Sequence, residues 1–272
     1  RYGTVTGVQT CALPICWFFG PGIFIQILLA TLFALGFEAL MLHLRGRPLK
    51  PFINDYSVVV TAVLFALCIP PSSPWWVSFT GMLFGVVFAK HLYGGLGQNL
   101  FNPAMVAYVV VLICFPQALT AWTPPLMLAE SNPGLYESFM AILTGSSSAG
   151  WDTATQATPL DLVKNGIEAG LPLADIQRSP IFGAFGGLGW EWIAVSYALG
   201  GLYLLFRRVI SWHVPLSVLG SAFLFCLVLW LTGMDSNPHP LHHMFSGALM
   251  LAAFRAEEHT SELQSQFRIS CA

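Results

Sequence analysis

The chain has 272 residues, 56% of them hydrophobic and only 9% charged. An ordinary globular domain is roughly a quarter charged, so this composition, with a mean hydropathy of +0.69, excludes a soluble domain and points to an integral membrane protein. The formal net charge of −2 excludes a nucleic-acid-binding surface and leaves lipid as the partner that composition identifies.

The two ends read differently from the rest. Residues 1–16 have no hydrophobic period and no signal-peptide pattern, and they carry Cys11 and Cys16. Residues 255–272 are polar and follow Phe254 in the middle of an apolar run. Both are expected to be non-native tails, so fold reasoning starts at 17 and stops at 254. Of the remaining cysteines before the tail, Cys68, Cys114 and Cys226 each stand alone in an apolar run. They read as small buried hydrophobes, neither a disulfide framework nor a metal motif.

In chain order, a first group of membrane helices is expected over 17–116. Gly22 to Leu42 is long enough to span, contains one acid, Glu38, and exits through His43, Arg45, Arg47 and Lys50. Ser57 to Ile69 is apolar but short and ends at Pro70-Pro71, and Trp75 to Ala89 is also short and closes on Lys90-His91. Short or interrupted apolar segments of this kind predict broken or re-entrant helices lining a site. Next comes Tyr93-Gly-Gly-Leu-Gly-Gln-Asn-Leu-Phe-Asn-Pro-Ala-Met105, leading into an apolar run that ends near Phe115. Asn102 before Pro103 reads as a helix N-cap with proline at the first helical position. Gly94, Gly95 and Gly97 permit close backbone approach. Together with Asn99 they form either a tight connection or a loop at membrane depth that touches a cofactor.

Residues 117–189 are the long polar-to-mixed region, expected to be extramembrane. Within it, Pro159 to Ala169 predicts a short helix with Thr158 as N-cap and Asp161 in the first turn. A helix N-terminus also suits an anion, because it presents unpaired N–H groups and the positive end of the dipole. A plain cap and an anion-bearing cap both stay open at this point. The glycines at 183, 186, 187 and 189 that close the region fit no nucleotide-binding motif. A second group of helices is expected over 190–254: Trp190 to Phe206, Val214 to Thr232, and one beginning at His242.

Placing 43–50 inside and alternating the segments puts every basic cluster inside. The 117–189 loop, with two bases (Lys164 and Arg178) against six acids, then lies outside. Other candidates are weaker. Glu38 is a candidate for an ion path, since an acid within a span is functional by default, or it snorkels to the interface. His239, His242 and His243 read as interfacial histidines in preference to a metal site, and no metal site is expected elsewhere. Asn54 and Asp55 read as a helix cap, and the tryptophans beside the spans as an aromatic belt. No Ser-His-Asp or H-E-x-x-H pattern is present.

The runs Leu92-Tyr-Gly-Gly-Leu-Gly-Gln-Asn99, Phe101-Asn-Pro-Ala-Met105 and Gln156-Ala-Thr-Pro-Leu-Asp161 resemble the RnfD (RsxD) family. These are the membrane flavoprotein subunits of the Rnf electron-transport complex, related to NqrB of the sodium-pumping quinone reductase. Trp17-Phe-Phe-Gly20, Ile69-Pro-Pro71, Trp212-His213 and Phe245-Ser-Gly-Ala248 fit as well. Leu100, Thr153 and Leu249 depart from the pattern, standing where proline, glycine and threonine are expected. The resemblance implies an all-α polytopic membrane protein made of two related helix sets with broken helices at the centre, incomplete here at both ends. Ser57–Ile69 and Phe245–Phe254 are then expected to be paired broken helices.

The same resemblance implies FMN joined through its phosphate to Thr158. Asp152, Thr155 and Ala157 would complete the motif read by a flavin transferase, and a second, non-covalent flavin is compatible with it. It further implies electron relay between ferredoxin and NAD coupled to ion transport, with partner subunits of the A, B, C, E and G types. The expected location is a bacterial inner membrane, with the Thr158 loop in the periplasm. An NqrB-like subunit of a quinone reductase is the runner-up, and a non-redox channel or transporter the alternative of a different class.

Overall fold

The structure, a computed structural model, describes residues 17–49, 56–93, 101–125, 128, 134–145, 158–208, 210–233, 237–247, 249–250 and 253. They are all-α: the described residues contain helices and one isolated β-bridge, between Phe182 and Gly187. Two compact units result, one within Ile15–Gln156 and the other within Ala157–Ala272.

The first unit is built around helix α1, Gly22–Leu44. Its sequence is apolar all round, and at 23 residues it is long enough to cross a bilayer. It buries a strip at four-residue spacing: Gln26, Ala30, Ala34, Glu38 and Leu42. Such a row slants across a helix and meets different neighbours at different heights. The neighbours are α2 (Ser57–Ala66) and α3 (Trp75–Met82), which continues as a π-helix over Leu83–His91, with α4 (Pro103–Cys114) packed on the π segment, α3 and α2. Short helices follow at Pro116–Thr120 (α5) and Leu135–Thr144 (α6).

Small residues make the close packing possible. Ala30 and Ala34 on α1, Ala62 and Ala66 on α2, and Ala104 and Ala107 on α4 are all buried in one core with Phe65, Met82 and Val86. In a membrane there is little hydrophobic drive between helices, and small residues let backbones approach so that dispersion and polar contacts hold them together. Gly85 is a tight point: a Cβ there would lie 2.8 Å from the Pro103 carbonyl oxygen. The outer faces carry Phe24, Leu28, Leu32, Leu40, Val109 and Ile113, all exposed, as lipid-facing surfaces require.

The second unit begins with α7 (Pro159–Glu168) and α8 (Leu173–Ile176). Two apolar helices follow, α9 (Trp190–Phe206) and α10 (His213–Thr232), then a six-residue helix, α11 (Pro240–Phe245). Within α10 only Pro215 is buried. This 20-residue apolar helix, with so little of itself covered, is long and apolar enough to cross a membrane.

Most segments match the sequence expectation to within two or three residues. Three differ. The apolar run from Trp75 changes from α to π winding at Leu83 and runs on through Lys90 and His91. The helix expected from His242 starts at Pro240 and stops at Phe245, with bends at Ser246 and Gly247. Leu135–Thr144 was expected only as part of a loop, yet it forms a helix whose first turn carries Glu137 bonded back to the Gly134 N–H at 3.2 Å, as capping chemistry favours.

Candidate functional site

Two sites emerge, one in each unit. In the second unit Thr158 is the N-cap of α7, with extended φ/ψ of −63° and 157°. Its Oγ1 accepts the Asp161 N–H at 3.3 Å, and its hydroxyl donates to Asp161 Oδ2 at 2.6 Å. The short second bond is that of a hydroxyl to a carboxylate. Pro159 follows at the first helical position and is buried against Gly187, where any side chain would collide with its ring. The Thr158 side chain itself is half-buried and accessible.

Close in the chain to that glycine stands a loop tied by its own backbone. Gly183 N–H donates to the Gly186 carbonyl, and Leu188 N–H to the Ile181 carbonyl, both at 2.7 Å. A Cβ at Gly186 would lie 2.8 Å from the Phe245 carbonyl oxygen. The glycine cluster that fitted no motif is therefore structural: it lets this loop lie on α11. Between the two is a cavity of about 320 Å³, lined by Gln177, Phe182, Gly183, Phe185, His239 and His242 among others. His242 is 7% exposed, its ring lies 5.2 Å from Phe182, and its Nε2 has no partner among the described residues. Burial, with His243 beside it, holds the His242 imidazole down at about 4, so the ring is neutral at ordinary pH. His239 caps α11 by accepting the Leu241 N–H. Among the described residues no group of three metal-binding side chains forms.

The second site lies in the first unit. Glu38, 1% exposed, sits between two groups of the π segment. Its Oε1 is 2.8 Å from Lys90 Nζ and its Oε2 is 2.8 Å from His91 Nε2. Lys90 also donates to Ser57 Oγ at 3.1 Å, and the Arg45 guanidinium donates to the His91 carbonyl. A π-helix turns less per residue than an α-helix, so adjacent side chains stay closer in direction. That is how neighbouring residues 90 and 91 both reach one carboxylate. The Gln26 end of the same α1 strip is polar but uncharged: its amide donates to the Ser73 carbonyl and accepts from Ser78 Oγ at 2.8 Å.

Of the site residues expected from sequence, Thr158, Asn102 and Glu38 are described. Asn102 is the N-cap of α4, its Oδ1 accepting the Ala104 N–H at 3.0 Å. Asp152, Thr155, Ala157, Gly94, Gly95, Gly97 and Asn99 lie outside the described residues, as do Asn54 and Asp55. Glu38 does not snorkel, because Lys90 and His91 meet it inside. Sequence reasoning placed those two bases with the basic clusters on the inner side, where the Trp75 to Ala89 segment closes. The one signal that paired them with Glu38 was the imbalance of a lone acid in a span.

Three relatives and a family model bear on what these sites serve. The model of the NQR2, RnfD, RnfE family matches residues 4–259. The chain is 48% identical over 247 residues to the D-type subunit of the ion-translocating oxidoreductase complex of Aeromonas hydrophila, covering 88% of this chain and 71% of that protein. It is 45% identical over 260 residues to the protein of the same name from Vibrio cholerae, covering 91% and 75%. For that of Escherichia fergusonii the values are 44% over 248 residues, covering 88% and 70%.

Proposed function

The chain belongs to the NQR2, RnfD, RnfE family, and from that premise we propose that it is an electron-relay subunit of an ion-translocating oxidoreductase complex, carrying FMN esterified to Thr158. The observation that carries the reading is the Thr158 hydroxyl itself. It caps a helix N-terminus, it is accessible, and its proton already points at a carboxylate 2.6 Å away. Forming a phosphoester at Oγ1 breaks its O–H bond and a phosphoanhydride bond of the flavin donor held by the transferase, the donor's other half departing; Asp161 Oδ2 is placed to take the proton. The phosphate would then lie at the start of α7, where the helix dipole favours an anion.

The bound flavin supplies the electron chemistry. The protein's part is attachment, position and surroundings. In the same unit, the cavity between the 182–186 loop and α11 offers a planar ring an aromatic neighbour, Phe182, and an unpaired nitrogen, His242 Nε2. In this reading Asp152, Thr155 and Ala157 complete the sequence read by a flavin transferase. The protein assembles with A-, B-, C-, E- and G-type partners in a bacterial inner membrane, passing electrons between ferredoxin and NAD, with the Thr158 loop outside. A second, non-covalent flavin fits the same role.

The test is in-gel flavin fluorescence of the chain co-expressed with the transferase, after membrane insertion has been verified. Covalent fluorescence on the wild-type band and none on Thr158→Ala is the expected result. Flavin retained by Thr158→Ala would move the attachment elsewhere, and inserted wild-type protein without covalent flavin would end the reading.

A further inference from the structure

Helix α6, Leu135–Thr144, takes part in neither site described above. We propose that it is an interfacial anchor, its apolar face sunk in the headgroup–acyl boundary of the bilayer at the end of the first unit opposite Arg45. The partner is a lipid surface. The proposal concerns the first unit alone and does not rest on the flavin reading.

Three observations carry it. First, the helix divides into three faces. At about 100° per residue, Leu135, Tyr136, Phe139, Met140 and Leu143 share an arc of roughly 140°. All five are exposed, Tyr136 at 71% and Leu135 at 62%. Ser138 and Ile142 form the next face and are buried against the unit. Glu137 and Thr144 form the third and are exposed. The apolar arc therefore lies between a face covered by protein and a face suited to water. One exposed leucine is ordinary, but five apolar side chains on one face of a ten-residue helix make a patch that marks a contact surface.

Second, the helix is built to lie in an interface and not to cross one. Its ten residues rise about 15 Å, about half of a hydrocarbon core. Helix α1, which is long enough to cross, is apolar all round. Helix α6 is one-sided, the pattern of a helix that rests at a membrane surface with one face in the acyl boundary.

Third, its position places that face at the right level. Helix α6 packs on α1. Its C-cap, Gly145, lies on the Trp76 indole at the start of α3, where any side chain would collide with the ring. This is the end at which α1 begins, since Gly22 abuts the Pro71 carbonyl in the turn before α3. The same end carries the exposed indoles of Trp17 and Trp75 and the lipid-facing Phe24 and Leu28. Exposed tryptophans at the end of a helix bundle mark the headgroup level.

The chemistry of the arc favours lipid over a folded partner. A protein interface surrounds its apolar centre with directional hydrogen-bonding groups. The arc of α6 carries one polar atom, the Tyr136 hydroxyl, and a ring with a polar tip is the side chain that suits a boundary with one apolar and one wet side. The only charge on the helix is Glu137, which is bonded back to the Gly134 N–H and lies off the arc. With no basic residue on α6, the attraction comes from apolar area and needs no anionic lipid.

The experiment places p-benzoylphenylalanine at Tyr136 or Phe139 of the full chain, assembled in its complex in the cell membrane, and identifies the photo-adduct by mass. The expected result is an adduct of phospholipid mass at both positions and none at Glu137, on the wet face. The same probe at Leu28 verifies the photochemistry on a lipid-facing residue. An adduct of 136 or 139 with another polypeptide overturns the proposal and makes the face a subunit contact. Unmodified chain at both positions, with lipid captured at Leu28, puts the face in water and overturns it as well. A second measurement needs no probe. Phe139→Asp with Leu143→Asp changes two exposed positions, and the complex carrying it in phosphatidylcholine nanodiscs is expected to be cleaved several-fold faster than wild type within 134–145 by added protease. Equal rates overturn the proposal.

Discussion

The Thr158 site and the Glu38 site solve opposite problems. Thr158 is local: cap, proline and carboxylate lie within four consecutive residues, and an accessible hydroxyl is held by backbone rules alone. Glu38 is wholly tertiary: its partners stand 52 and 53 residues away, and the cluster exists only because α1, α2 and the π segment pack. Local sites tolerate changes in packing and depend on one atom. Tertiary sites depend on every helix that frames them, and the removal of one charge strands the others.

The largest expected effect is chemical and local. Thr158→Ala removes the only oxygen that this reading allows for esterification, so covalent flavin fluorescence falls to background. Insertion should barely change, as losing a cap costs about 1 kcal/mol. Thr158→Ser should keep both cap and fluorescence. The tertiary site should fail the other way. Glu38→Ala leaves the Lys90 ammonium with only the Ser57 hydroxyl and no counter-charge, and breaking a buried pair from one side costs roughly 3–5 kcal/mol. The first unit should then lose detergent thermal stability, while any protein that inserts still takes flavin at Thr158. A thermal melt of Glu38→Ala matching wild type would mean that the cluster is not formed.

The same contrast explains what could be read from sequence. Thr158 as N-cap, Asn102 as N-cap and the long apolar helices over Gly22–Leu44 and His213–Thr232 were legible, because caps and hydropathy are rules over neighbouring residues. Glu38 was legible as an anomaly only. Lys90 and His91 read as one of the basic clusters on the inner side, since a segment ending in two bases has that form whether it stops there or winds inward. The π winding that decides between them leaves no sequence period of its own. Asp161 was visible in the first turn, but its bond to the Thr158 hydroxyl depends on a rotamer. The glycines from 183 to 189 were visible and unexplained, because their reason, close approach to Pro159 and Phe245, lies in distant segments.

Intermediate effects test how far each frame extends. Gly85→Ala sets a methyl 2.8 Å from the Pro103 carbonyl. Backbone cannot yield as a side chain does, so a cost of about 1–3 kcal/mol is expected. Because Gly85 lies in the π segment that carries Lys90 and His91, the thermal melt of the first unit should fall; an unchanged melt would show that the segment does not need that packing. In the other unit, His242 is neutral when folded, held at about 4 against an ordinary 6.5. The unfolded chain therefore binds the proton first. Stability from this group is complete above about 6.5 and is lost as pH falls towards 4. Limited proteolysis of the second unit should accelerate on going from neutral pH to the acid side of that window, and His242→Gln should flatten the response.

The smallest expected effect is the most informative about the local site. Asp161→Asn keeps an oxygen for the Thr158 hydroxyl and leaves the Asp161 N–H contact to Thr158 Oγ1 available. It removes a negative charge from the first turn of α7, where charge contributes about 0.3–1 kcal/mol through the helix dipole. Stability should hardly move. An amide oxygen, however, is a far poorer proton acceptor than a carboxylate, so if Asp161 takes the hydroxyl proton during attachment, the initial rate of flavin incorporation should drop even though the final yield recovers with time. An unchanged rate would reduce Asp161 to a capping residue and return the whole of the attachment chemistry to the transferase. Thr158 would then be local in sequence but passive in mechanism, and the contrast with Glu38 would rest on geometry alone.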